Sequence, residues 1–288
     1  LMNASTGTLV FSESGGVNQG QIAVGTNNGH ELALHAANAD IQLNIPIVNT
    51  GANAGSVLVL GPNTINITSS GGASTYSGTT TVASGTLLLG GTGSINSSSG
   101  ITINGGNAKY LHTSSVASTV PISLLHGTLD GTGVVGSVTV ADSSSAIITH
   151  GNTGTSPLTI SSLAFQGDAT LNLKAVSPTP IVVTGTLSTT PANGQVTINV
   201  PTALPNGLIN LISFGSLTGN AADFTGNFTN LGPRQAAGPL VLNGNNIAAN
   251  ITGESVVWTG ATDDLWETVA AGNDSPPNNW SRGTARNA

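Results

Sequence analysis

The sequence predicts an all-β fold, a solenoid of stacked short strands, on three observations. Helical periodicity is nearly absent, while Val, Ile, Thr and Leu recur in alternating runs of three to five residues. Gly, Asn, Ser or Asp bounds each run, as tight turns require. The tripeptide Gly-Thr-Leu returns at Gly7, Gly85, Gly127 and Gly185, and its separations of 78, 42 and 58 residues fit four, two and three repeats of about 20 residues.

The strand candidates follow in order: Val57–Leu60, Ile65–Ile67, Thr86–Leu89, Ile101–Ile103, Val138–Val140, Leu171–Leu173 and Val196–Val200. The stretch from Ser84 aligns with that from His126, each placing Gly-Thr-Leu before a Gly-Thr-Gly turn. One coil alone buries too little to offset the ordering of its backbone, so coils must stack and share a core. About eleven to thirteen rungs at ~4.8 Å would make a rod on the order of 50–60 Å long. Ten of the thirteen prolines lie at or after Pro157, so the later coils should be less regular. Phe214, Phe224 and Phe228 cluster there, and all three tryptophans, Trp258, Trp266 and Trp280, fall near the end. The expected organisation is a solenoid over residues 1–253 and a small Trp-containing β element over 254–288.

Composition excludes several function classes. Only 6% of the residues are charged, against about 25% in ordinary chains. The cations are Lys109, Lys174, Arg234, Arg282 and Arg286, too few and too scattered to neutralise a phosphate backbone, so no nucleic-acid partner is expected. No cysteine is present, which rules out disulfides, thiolate chemistry and Cys-ligated zinc. No run approaches the ~20 apolar residues of a membrane-spanning helix. The chain opens at Leu1 without a signal peptide, and is read as a piece of a longer polypeptide that carries any export signal or anchor elsewhere.

The chemical motifs resolve toward structure. Gly131-Thr-Gly-Val-Val-Gly136 spells the dinucleotide-binding pattern, but strand and turn residues follow where a helix must receive the pyrophosphate. His30-Glu31-Leu-Ala-Leu-His35 has one residue too many for a zinc helix; in a strand, Glu31 and His35 share a face and His30 takes the other. His112, His126 and His150 show no spacing that argues a Ser-His-Asp triad. A glycan-cleaving enzyme would need two carboxyls about one rung apart; Glu13 with Glu31, and less well Asp142 with Asp168, could stack. Lys109 and Lys174 are about three rungs apart, too far to cooperate as bases. Glu254, Asp263, Asp264, Glu267 and Asp274 could attract calcium, and the tryptophans, Trp266 among them, could stack on sugars, but the familiar calcium-loop spacings are missing. No residue is expected to be catalytic, cofactor-binding or metal-ligating, and no cofactor is expected.

Tyr76-Ser-Gly-Thr-Thr-Thr-Val82, Ser84–Leu89 and Leu129–Val140 resemble the autotransporter-associated β-strand repeat, also called the passenger-associated transport repeat. The likeness covers about residues 72 to 228, with its most specific part at 74–140. It departs at His150, which stands where the family tends to have the proline of a Pro-Gly-Asn turn. Val257-Trp-Thr-Gly260, Leu265-Trp266 and Asn279-Trp280 resemble the element that opens the next tandem unit in large bacterial surface proteins of this kind. The resemblance implies a right-handed parallel β-helix displayed outside the cell as a stalk, adhesin or fibre. Its partners would be other copies or neighbouring repeats meeting its exposed ends, with surface glycans as a further candidate.

Overall fold

The structure, a computed structural model, describes residues 1–12, 20–25, 30–51, 53–68, 72–143, 145–150, 156–174, 176, 178–190, 196–253, 255–258 and 280–283, the last two by backbone alone. It is all-β, with a single 3-10 turn at Ala221–Asp223 among the described residues. Almost all strand pairing is parallel.

Three ladders account for the pairing. The first joins Met2–Asn3, Glu31–Ala36, Ser56–Leu60 and Thr79–Val82, then the opening halves of Gly100–His112 and Ile122–Gly131. It continues through Val138–Val140, Leu163–Phe165, and the closing parts of Ile181–Thr189 and Gly207–Thr218. The second joins Leu9–Phe11, Ile41–Leu43, Thr64–Ile67 and Gly85–Leu89, the closing halves of Gly100–His112 and Ile122–Gly131, then Ala146–His150, Ala169–Leu173, Val196–Val200 and Phe224–Phe228. The third pairs Ile22–Val24 with Ile47–Asn49, and later Val134–Val135, Leu158–Ile160 and the earlier parts of Ile181–Thr189 and Gly207–Thr218. Residues 74–76, 94–96 and 118–120 bond into its middle through Thr75 N–H to Ile47, Ser74 N–H to Ser94 and Ser118 N–H to Val134. The chain visits first, second and third ladder in that order and begins again.

Parallel pairing in register puts like positions on top of one another. In the second ladder one inward column runs Leu9, Ile41, Ile65, Leu87, Tyr110, Leu129, Ile148, Leu171, Ile198. From Ile41 onward every member is fully buried or nearly so, and the column belongs to one continuous hydrophobic core. Ten strands about 4.8 Å apart give this ladder a height of roughly 45 Å. Its length falls short of the sequence-based expectation because most circuits are longer than about 20 residues. Leu9 to Ile41 is 32 residues, Tyr110 to Leu129 is 19, and Ile198 to Gly226 is 28.

That variation corrects the Gly-Thr-Leu reading. Leu9, Leu87 and Leu129 do share the column, but the 78 residues between the first two span three circuits, not four. Leu187 lies on the first ladder instead, opposite Leu163 and Leu217. Gly85 opens its strand, and Gly127 opens the closing half of Ile122–Gly131, at equivalent places in the second ladder with φ of 68° and 107°. A Cβ at Gly85 would lie 2.2 Å from the Gly61 carbonyl oxygen, so only glycine fits between circuits there.

The later circuits are less regular, and the end of the 1–253 region departs from parallel pairing altogether. Asn246–Gly253 runs antiparallel to Gly207–Thr218, Gln235–Ala237 and Val241–Leu242. The reason is local. Asn243 and Asn246 exchange backbone hydrogen bonds across Gly244-Asn245, with Gly244 at φ 55°, and so short a turn can join only antiparallel strands. Beyond it, Ser255–Trp258 and Trp280–Gly283 pair antiparallel with Trp258 opposite Trp280.

Candidate functional site

The dinucleotide-like motif is a corner. Gly131 closes Ile122–Gly131, and Val134–Val135 and Val138–Val140 follow as strands. Glu31 and His35 lie on the outer face of Glu31–Ala36, while Leu34 and Ala36 point into the core, as strand alternation requires. Glu13, proposed to pair with Glu31, lies outside the described residues, as do the calcium candidates Glu254, Asp263, Asp264, Glu267 and Asp274 and the sugar-stacking candidate Trp266. Among the described residues no three His, Asp or Glu side chains gather as metal ligands.

Asp142 and Asp168 do meet, one carboxylate against the other residue's backbone. Asp142 Oδ1 accepts the Asp168 backbone N–H at 2.9 Å, and a Cβ on Gly167 would collide with the Asp142 carboxyl group. Asp142 thus clips one corner to the next. Lys109 sits three circuits before Lys174, and its ammonium pairs with Asp130 at 2.5 Å on the outer side of the second ladder. Asp130 is only 1% exposed. An open groove of about 510 Å³ crosses four circuits beside His35, Pro62, Ser84 and Asn107, and no carboxylate, Phe, Tyr or Trp lines it.

The histidines fall into two classes. His126 is exposed, and its Nδ1 lies 2.8 Å from Ser145 Oγ and 3.0 Å from Ser143 Oγ, joining two neighbouring corners. His112 and His150 are buried and share one inward column, with Gly131 between them. His150 ends its strand, and its Nε2 bonds the Ser156 carbonyl at 2.8 Å. Burial lowers the His112 imidazole to about 4, partly offset by the Val116 backbone. Tyr110 OH lies 3.0 Å from His112 Nδ1, and burial raises the Tyr110 phenol far above its ordinary value. Tyr76 is raised likewise by burial, its hydroxyl held 2.6 Å from Thr80 Oγ1, which in turn meets Ser98 Oγ at 3.0 Å. These hydrogen bonds tie buried polar groups together within the core.

Outer surfaces carry the remaining polar groups, and the two main ladders differ. On the second, Asn227 Nδ2 donates to Asn199 Oδ1 and Asn199 Nδ2 to Asn172 Oδ1, at 2.9 and 2.8 Å. On the first, one outward column runs Thr81, Thr102, Ser123, Thr139, Ala164, Ser188, Thr218 in unbroken register. A second column stands two residues earlier on each strand. Across these seven strands, eleven of fourteen outward positions are Ser or Thr, the exceptions being Gly100, Pro121 and Ala164, and none is charged. Sequence reading missed this array because register between circuits of unequal length is invisible in one chain. No protein-family model, no curated protein and no solved structure matches the chain.

Proposed function

We propose that the chain is a right-handed parallel β-helix whose work is mechanical, a rod displayed on a bacterial cell surface as stalk, adhesin or fibre subunit. The observation that carries this reading is the fixed cyclic order in which the chain visits three parallel ladders over one continuous core. A strand that returns in parallel beside its predecessor through such connections takes the right-handed sense. The likeness of Tyr76–Val82, Ser84–Leu89 and Leu129–Val140 to passenger repeats supports surface display. Neighbouring units or further copies would meet the ends of the rod. Met2–Asn3, Leu9–Phe11 and Ile22–Val24 each pair along one edge only among the described residues, which leaves backbone groups for such a neighbour.

Two measurements test the reading. Thr197→Cys with Thr225→Cys should cross-link under mild oxidation, since the two positions oppose each other one circuit apart, while Thr197→Cys with Thr139→Cys should not. On intact cells of the source organism, antibody should label the chain and external protease should remove it. A chain reached only after lysis would end the surface-display reading.

A further inference from the structure

Resting on the coiled-rod reading above, we propose that the outer face of the first ladder docks an ordered, neutral, hydroxylic lattice: the surface of ice. The face is periodic. Its columns of Ser and Thr repeat every ~4.8 Å along the stack and stand about 6.6 Å apart across it. Oxygen rows on the prism face of hexagonal ice repeat at nearly the first of these intervals. The face is also rigid, because each strand between Thr79–Val82 and Leu187–Thr189 is hydrogen-bonded on both edges. Threonine's branched side chain holds hydroxyl and methyl in few rotamers.

Most of the hydroxyls bond no described side chain or backbone group; the exceptions are Thr79, which donates to Ser56, and Thr186 and Ser216, which bond each other. Thr81, Thr102, Ser123, Thr139, Ser188 and Thr218 make no side-chain hydrogen bond to other described residues. A hydroxyl both donates and accepts, as ice oxygens demand. Water held on such a grid is already close to lattice positions, so joining it to a crystal costs little further ordering. Other partners fit less well. The array offers no charge to an ionic polymer and no aromatic ring to a sugar. The second ladder makes the internal contrast: Lys109 and Ile147 interrupt its column of Thr86, Thr128, Thr170 and Thr197, its asparagines bond one another, and Lys109 bonds Asp130.

Partition into ice tests this. A dilute solution of the chain is frozen slowly on a cold finger with a co-dissolved control protein, and both are measured in ice and liquid. The chain should enrich in the ice fraction and the control should not. The double variant Ser123→Tyr, Thr139→Tyr should lose the enrichment, whereas Thr197→Tyr on the second ladder should keep it, all with the circular dichroism of the unmodified chain. Exclusion of the unmodified chain from ice, retention by the double variant, or equal loss in Thr197→Tyr overturns the proposal. So does adsorption to crystalline cellulose without adsorption to ice. Failure of the Thr197–Thr225 cross-link would instead count against the coil itself.

Discussion

The outer faces of the first and second ladders are made on the same backbone plan, with the same rung spacing and the same alternation, yet their polar columns are filled differently: the second interrupts its threonines with Lys109 and Ile147 and adds a bonded amide column, whereas the first is almost wholly Ser and Thr. On the second, amides bond amides across three circuits and an ammonium meets a carboxylate. On the first, hydroxyls stand in register but mostly without protein partners. A parallel stack can therefore direct a polar column inward upon itself, for cohesion, or outward, for contact. The choice lies in side-chain reach. Asn spans the gap between rungs and Thr, with a single branch point, mostly does not.

The contrast can be broken at its root by disturbing the stack both faces share. Gly85→Val places a side chain 2.2 Å from backbone at positive φ, and should cost on the order of 4 kcal/mol, read by denaturant melts. Gly106→Val, with nothing within 4 Å of its Cβ, is the matched control and should lose well under half of that.

Acid acts next. His112 is held at about 4 in the fold against 6.5 when unfolded, so the unfolded chain binds the proton first. The stabilisation is complete above about pH 6.5 and is lost as pH falls toward 4, a difference of about 3 kcal/mol. His112→Phe should flatten that slope in melts followed from pH 7 to 4.

Smaller still is the ion pair. Lys109→Met leaves Asp130 buried and uncompensated, and should destabilise by about 2 kcal/mol, less than for a fully buried pair because Lys109 remains partly exposed. The finest comparison sets one residue from each face side by side. Asn199→Ala breaks two ladder bonds and should cost about 1–2 kcal/mol. Thr139→Ala breaks none and should fall within about 0.5 kcal/mol of zero. Equal costs would mean the faces do not differ as described.

Much of the architecture was legible in the residues. Alternating Val, Ile and Leu gave strands such as Val138–Val140 and Val196–Val200, because inward positions must be apolar whatever their partners. Register was not legible, since it depends on how many residues each corner holds, and that number varies. Hence Leu187 falls outside the column that the Gly-Thr-Leu spacing predicts, and nothing in the spacing shows that Gly131 alone separates His112 from His150 in one column. The Asn243–Asn246 turn carried a readable Asn-Gly signal for an antiparallel return.

Circuits of 19 and of 32 residues occupy the same ladder, so the molecule counts passages rather than positions. Insertions and deletions should be nearly silent at a corner and ruinous inside a strand, where a single added residue swaps the dry side for the wet one. Lineages of such chains can lengthen their bends freely while the alternation between them stays in phase, and a foreign peptide grafted into a bend would ride on the surface without altering the scaffold beneath.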